Sequence, residues 1–247
     1  MATKGENTAQ ERDILTALRR GKVSIQGEFL WGSNYTFSVQ VTCENTQLQA
    51  VYKPTRGERP LWDFPRASLA RREVAAYLIS EAIGWCFVPP TVYRKKGPIG
   101  AGSLQLYVEH DPEYNYFNLS EADRRRLRPV ALFDLIINNA DRKGSHILFD
   151  GTDKIWLIDH GICFHRDTKL RTVIWDFAGE AIPEDLCAAL TTFLQNLTPD
   201  SDLTRNLKQY ISQEEVSALF SRTERLLKSG RFPNPHPNRR PYPWPPV

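Results

Sequence analysis

The sequence predicts an α+β protein with two lobes. Short segments rich in Val, Tyr, Phe and Thr fill the first half, and longer apolar-periodic segments fill the second half. The pair Asp111-Pro112 interrupts the chain between them. We therefore expect a sheet-rich lobe over residues 1–108, a hinge over 109–112 and a mostly helical lobe over 113–247. The junction of two lobes is a typical place for a ligand cleft.

Five segments of the first lobe are predicted as strands. In the first three, apolar and polar residues alternate, as is typical of antiparallel strands. The five span residues 22–26, 35–43, 47–52, 89–93 and 103–108. Polar residues 1–9 predict a disordered lead-in before a helix over 9–20 that Gly21 ends. A second helix should run from Ser68, as its N-cap, to residue 83, where Gly84 ends it.

The second lobe should begin with one helix over residues 120–138, because Ser120 and Asp123 have the spacing of a capping box. A hairpin over 146–158 turns at Asp150-Gly151. Helices should follow over 183–197, 201–210 and 213–228, the last capped by Ser212 and Glu215. Residues 232–247 contain seven prolines, so we expect an extended tail that docks through Tyr242 and Trp244.

Composition excludes several classes of protein. The 247 residues carry a net charge of +3 from 32 basic and 29 acidic side chains, too even a balance to predict a nucleic-acid partner. The four cysteines are scattered, which predicts reduced thiols and a cytoplasmic location. No apolar run approaches the roughly 20 residues that a transmembrane helix needs.

Two residues of the first lobe could act together on a phosphate. Lys53 follows a predicted strand and could project into the cleft, although an exposed lysine at a strand end is the commoner occurrence. Glu73 has helical spacing from residues that should face the sheet, where it could hold the Lys53 ammonium. The alternative for Glu73 is a solvated charge that pairs with Arg71 or Arg72.

The turn Gly32-Ser33-Asn34 between two strands could bind phosphate through backbone N–H groups and the serine hydroxyl. The same residues occur in many ordinary hairpins, and the segment has no Walker A or GxGxxG pattern.

Three residues of the second lobe complete the candidate site. Asp141 follows an apolar helix and could orient or deprotonate an acceptor hydroxyl, or it could be an ordinary turn residue. His146 could bind a metal or phosphate, or simply be a packed side chain. Asp159 ends an apolar strand, where a carboxylate is costly unless a cation compensates it. It is the strongest candidate for a metal ligand.

Residues 141–146 read DRKGSH and residues 158–161 read IDHG. With these motifs the chain resembles the phosphatidylinositol 3- and 4-kinase branch of the protein-kinase-like fold, and also the HipA-type serine kinases. It is more similar still to a group of bacterial phosphatidylinositol-kinase-related proteins, with which it shares residues 139–146, 158–161, 169–172 and 243–245 as well. The resemblance covers nearly the whole chain and implies a two-lobed kinase-like fold.

The resemblance also implies roles for residues. Lys53 would contact the α- and β-phosphates of ATP with Glu73 as its anchor, and backbone groups of Val108, Glu109 and His110 would line the adenine pocket. Asp141 would position the acceptor. The metal, Mg²⁺ in such kinases, would bind the two remaining candidates, Asp159 and His146.

His146 stands where the related kinases have a metal-binding Asn. Imidazole suits softer ions than Mg²⁺, so Mn²⁺ use becomes an expectation. The sequence thus predicts a kinase acting on a protein, lipid or small-molecule hydroxyl. An inactive nucleotide-binding regulator and an AMP transferase on the same fold are the alternatives.

Overall fold

The computed structural model describes residues 4–29, 35–44, 46–152 and 154–247 of the chain. Its first half forms an antiparallel sheet with strand order β1-β2-β3-β5-β4. The strands are β1 (Lys22–Glu28), β2 (Phe37–Cys43), β3 (Thr46–Pro54), β4 (Thr91–Arg94) and β5 (Gly102–Leu106). All five predicted strands are therefore confirmed, with ends that differ by a few residues.

Two helices accompany the sheet. Helix α1 (Lys4–Arg20) places Leu18 against the buried strand residues Val39, Val41 and Tyr52. The predicted disordered lead-in was wrong from Lys4 onwards, where α1 begins, and residues 1–3 lie outside the described part of the chain. Extending an existing helix costs far less than starting one, so α1 includes this segment although Gly5, Asn7 and Thr8 are poor helix formers.

Helix α2 (Leu69–Ile83) ends, as predicted, at Gly84, whose φ of 84° lies in the left-handed region. Ser68 occupies the N-cap position as predicted, but its hydroxyl donates to the Pro65 carbonyl and makes no capping hydrogen bond to the helix. Helix α2 is buried on most sides, since it packs against both the sheet and the helices of the second half.

The second half is mostly helical around one apolar core. Its helices are α3 (Glu121–Arg125), α4 (Arg128–Ile137), α5 (Glu184–Asn196), α6 (Asp202–Leu207) and α7 (Gln213–Ser229), and its hairpin is β6 (Ile147–Phe149) with β7 (Ile155–Leu157). The single predicted helix over 120–138 was wrong. Pro129 lies in the first turn of α4, and a continuous helix would clash its ring with the Arg125 carbonyl.

The C-terminal tail docks beside the segment that contains Asp141. The Pro241 carbonyl accepts hydrogen bonds from Thr172 N at 3.0 Å and Trp175 Nε1 at 3.3 Å, and the Pro246 carbonyl accepts from Gly144 N at 2.8 Å. The predicted anchors, Tyr242 and Trp244, are instead 47% and 75% exposed. The tail is therefore held by its backbone carbonyls, the buried Phe232 and the Arg239 guanidinium instead of the two predicted anchors. No helix among the described residues is long and apolar enough to cross a bilayer.

Candidate functional site

Lys53 lies in β3, opposite Ser103 of β5, and its side chain reaches two acids. Its Nζ is 2.5 Å from Glu73 Oε1 on α2 and 3.0 Å from Asp159 Oδ1. Lys53 is thus not a freely solvated strand-end lysine. Glu73 does not pair with its neighbours either, since Arg72 binds Glu215 and Arg71 donates to the Gln209 carbonyl. The structure joins three residues that are far apart in sequence.

These contacts stabilise the charged forms of Lys53 and Asp159. Burial opposes the charge of Lys53, but Asp159 and Glu73 outweigh that effect and raise the pKa of its ammonium above the ordinary value. Burial likewise works to raise the pKa of Asp159, but Lys53 and then His146 lower it well below the usual range. At neutral pH the site therefore contains the Lys53 cation beside the Asp159 carboxylate.

Glu73 connects this trio to the turn that carries Asp159. Its Oε2 accepts a hydrogen bond from His160 N at 2.9 Å, and its side chain is only 3% exposed. Asp159 itself has φ of 62°, which is uncommon for a residue other than glycine and marks a constrained turn. The turn leaves the Asp159 side chain 49% exposed, so its second oxygen is available to a ligand.

His146 faces that second oxygen. Its Nε2 lies 3.4 Å from Asp159 Oδ2. Burial, opposed by the Asp159 charge, lowers the pKa of His146 to about 4. The imidazole is therefore neutral near pH 7. Lys143 N donates to its Nδ1 at 3.5 Å, so Nε2 carries the proton and faces Asp159 Oδ2, and a metal at Nε2 would require the other tautomer. His146 and Asp159 therefore lie side by side, and their joint role as metal ligands stays a prediction.

A carboxylate and an imidazole suit a divalent ion, and this mixture fits Mn²⁺ at least as well as Mg²⁺. Among the described residues, no cluster of three or more His, Cys, Asp or Glu side chains could hold a metal by itself. An ion at this pair would need further oxygen ligands from water or a phosphate. That requirement is typical of Mg²⁺ or Mn²⁺ held together with a nucleotide.

Asp141 lies on the loop after α4. Its backbone N–H donates to Asn139 Oδ1 at 2.9 Å, and its carboxylate is 4.0 Å from Lys143 Nζ. Burial, with a contribution from the Asp159 charge, raises the pKa of Asp141 to about 6 although Lys143 lowers it. A carboxylate with this pKa accepts a proton more readily than an ordinary aspartate.

A cleft of about 450 Å³ opens beside Lys53, His146 and Asp159. Its apolar walls come from both halves of the chain: Val51, Leu106, Leu148 and Ile158. Val108 and His110 also line it, and the Val108 carbonyl is 2.8 Å from His110 Nδ1.

Not all predicted site residues line this cleft. Glu109 lies at a neighbouring depression instead, and Asp141 is absent from the described lining. Gly32, Ser33 and Asn34 lie outside the described residues.

A buried network that the sequence analysis missed holds the Asp141 loop. Arg142 is 0% exposed, and its Nε lies 3.0 and 3.1 Å from the two oxygens of Asp134 on α4. Asn139 and Thr172 also donate to Asp134. Asp134 is the one acid in the otherwise apolar run of α4, and this feature of the sequence could have indicated a buried ionic network.

The same guanidinium reaches the Asp159 turn. Arg142 donates to the Ile158 carbonyl at 2.9 Å and lies 2.8 Å from His160 Nε2. Burial and the nearby Arg142 charge lower the pKa of His160, which is therefore neutral and can accept this hydrogen bond. Arg142 thus ties the Asp141 loop to the Asp159 turn.

A mycobacterial protein resembles the chain over nearly its full length. Protein Rv2133c of Mycobacterium tuberculosis is 38% identical over an alignment 268 residues long, gaps included, that spans 94% of this chain and 95% of that protein. The chain belongs to the same family as Rv2133c. No family model matches the sequence.

More distant similarity leads to plant lipid kinases. Phosphatidylinositol 4-kinase gamma 4 of Oryza sativa subsp. japonica is 29% identical over 155 residues, 54% of this chain but only 27% of that protein. Its Arabidopsis thaliana counterpart is 27% identical over 159 residues, 54% of this chain and 28% of that protein. The match to phosphatidylinositol kinases is thus limited to part of each protein. The resemblance to HipA-type kinases stays a prediction.

Solved structures show the fold. A Golgi casein kinase with Mn/ADP bound has a TM-score of 0.53 at 15% identity, covering 94% of this chain and 81% of that one. Hydra Fam20 with sugar has a TM-score of 0.58 at 14% identity, covering 93% and 89%. The Helicobacter pylori proinflammatory kinase CtkA has a TM-score of 0.53 at 10% identity, covering 87% and 94%. The predicted kinase-like α+β fold is confirmed.

Proposed function

We propose that the chain is a metal-assisted, ATP-dependent phosphotransferase that moves the γ-phosphoryl group to a hydroxyl of a protein, lipid or small molecule. One observation carries the proposal. The Lys53 ammonium is held between the buried Glu73 and the half-exposed Asp159 at the edge of a cleft. A cation anchored by one buried acid, beside a second, more exposed acid that could bind metal, is the arrangement that kinases use.

In this proposal Lys53 binds the α- and β-phosphates. Glu73 stays in place when phosphate arrives, because His160 N holds its other oxygen. Asp159 and the neighbouring His146 would hold a divalent ion. The ion would neutralise phosphate charge as transfer proceeds.

The adenine would lie between the apolar walls of the cleft, with backbone groups of Val108 and its neighbours at its edge. The volume of about 450 Å³ is within the common range for small-molecule sites. The Golgi casein kinase with Mn/ADP bound supports nucleotide and metal binding on this fold. We propose Mn²⁺ as an effective metal because His146 supplies an imidazole nitrogen.

Asp141 would orient the acceptor hydroxyl and accept its proton. Its pKa of about 6 leaves the carboxylate mostly ionised at neutral pH, yet more basic than an ordinary aspartate. Arg142 holds this loop through Asp134 and joins it to the Asp159 turn through the Ile158 carbonyl.

The test is incubation of the protein with γ-labelled or α-labelled ATP and Mn²⁺ or Mg²⁺, using protein, lipid and small-molecule acceptors. Transfer of the γ label supports the proposal, whereas transfer of the α label identifies an AMP transferase. ATP-dependent thermal stabilisation without either transfer would indicate an inactive regulator.

Asp159→Asn should abolish transfer without unfolding the protein. Asp167→Asn is the matched control, because that acid is 70% exposed and contacts His165 instead of Lys53. Undiminished transfer by Asp159→Asn would refute the metal assignment.

A further inference from the structure

A second cavity lies on the helical half of the molecule. It has a volume of about 480 Å³ and is bounded by α7, the end of α4 and the segments around residues 168–170 and 229–234. No described residue lines both this cavity and the Lys53 cleft. Its apolar walls are Leu135, Leu170, Leu226, Phe232 and Pro233.

Three arginines surround this apolar surface: Arg222, Arg225 and Arg231. No Asp or Glu occurs among the described lining residues. Arg231 donates to the Gly179 carbonyl at 2.8 Å, which is a neutral acceptor. The cavity therefore combines an apolar floor with positive charge that no lining carboxylate balances.

Arg222 is the most unusual of the three, because it is only 7% exposed. Its Nε donates to the Ile136 carbonyl at 3.0 Å and its Nη1 to the His165 carbonyl at 3.2 Å. Its Nη2 has no hydrogen-bond partner within the described part of the chain. The nearby Glu215 is already bound to Arg72 at 2.6 Å.

Burial and the adjacent Arg225 charge lower the pKa of Arg222 to about 10, so the side chain remains a cation at neutral pH. A buried cation bonded only to neutral carbonyls is costly unless an anion accompanies it. An anionic group in the cavity would compensate this charge by electrostatic attraction, although Nη2 itself is not exposed at the cavity surface.

We propose that this cavity binds an amphipathic anion, with one carboxylate or phosphate head at the three arginines and an aliphatic body against Leu135, Leu226 and Phe232. Carboxylates and phosphates are both strong acceptors for guanidinium donors. The apolar walls favour a chain of several methylene groups over a small ion. The volume is within the usual range for small-molecule sites. The proposal does not depend on phosphotransfer.

Calorimetric titration of the full chain with decanoate, decyl phosphate, decanol and acetate, each below its micellar concentration, tests both parts of the site. We expect saturable binding of one or both long-chain anions, with an affinity at least about tenfold higher than that of decanol or acetate. A charge-assisted hydrogen bond contributes enough free energy for such a difference. Binding of decanoate alone or decyl phosphate alone would identify the head group. Equal binding of decanol, or binding of neither anion, would overturn the proposal.

Arg225→Glu should weaken anion binding by about tenfold or more, whereas Lys228→Glu should leave it within about twofold. Lys228 is the matched control because it is exposed on the same helix but does not line the cavity. If Arg225→Glu melts much earlier than the unmodified chain, Arg225→Gln serves instead. Unchanged affinity in the folded Arg225 variant would overturn the proposal. ATP-dependent stabilisation of each variant, measured in parallel, separates this result from any failure at the Lys53 cleft.

Discussion

Replacing Asp134 by Asn should destabilise the protein strongly, because Arg142 would remain buried without a counterion. Both side chains are 0% exposed, and Asp134 accepts from Arg142, Asn139 and Thr172. Burial raises the pKa of Asp134 despite the attraction of Arg142, so desolvation of this pair is costly even in the intact protein. Removing one partner of a buried pair costs about 3–5 kcal/mol.

We expect a loss of at least about 3 kcal/mol in the free energy of unfolding, measured by urea denaturation. With a slope near 3 kcal/mol per molar, the transition midpoint should fall by about 1 M. Glu121→Gln makes the same chemical change in the exposed pair with Arg125 and should cost less than about 0.5 kcal/mol. A loss below about 1 kcal/mol for Asp134→Asn would refute the structural role given to Arg142.

Asp141→Asn should lower kcat by about 10²- to 10⁴-fold with little change in ATP affinity. In the unmodified protein, kcat should rise as pH increases through about 6, because the Asp141 carboxyl must be ionised to accept a proton. His146→Asn should increase the ratio of the transfer rate with Mg²⁺ to that with Mn²⁺, since an amide oxygen replaces the imidazole nitrogen. Ser212→Ala should cost about 1 kcal/mol of stability by urea denaturation, because it removes the capping box of α7, whereas the exposed Ser217→Ala should be nearly neutral.

Three results would contradict these expectations. A kcat that is flat between pH 5 and 7 would exclude Asp141 as the proton acceptor. An unchanged metal ratio in His146→Asn would remove the imidazole from the metal site. Equal stability of the two serine variants would show that the α7 cap contributes nothing measurable.

The sequence predicted those parts of the fold that depend on local patterns. Alternation located the strands, and Gly84 and Ser212 located helix ends, because left-handed φ values and capping hydrogen bonds are local features. The sequence also contains the signal for the break before α4, because a helix that continued from Arg125 would clash with the ring of Pro129. The prediction of one helix over residues 120–138 was wrong because it followed the helical spacing of the apolar residues and disregarded Pro129.

The sequence indicated which residues could belong to the candidate site, but not which of them contact one another. Spacing indicated that Glu73 could face the sheet, but nothing local decides between Lys53 and a neighbouring arginine as its partner. That choice depends on Glu215, which is 143 positions from Arg72 and binds it in the folded chain. The burial of Arg142 could not be predicted either, because a basic residue in a polar loop gives no local sign that it will be fully buried.

The most direct test of the whole account is a crystal structure with a non-hydrolysable ATP analogue and Mn²⁺, with the metal located by its anomalous scattering. We predict a peak within about 2.0–2.3 Å of an Asp159 carboxylate oxygen and His146 Nε2, with the phosphates at Lys53. A manganese peak away from both residues, or a nucleotide bound outside this cleft, would contradict the proposed metal and nucleotide site.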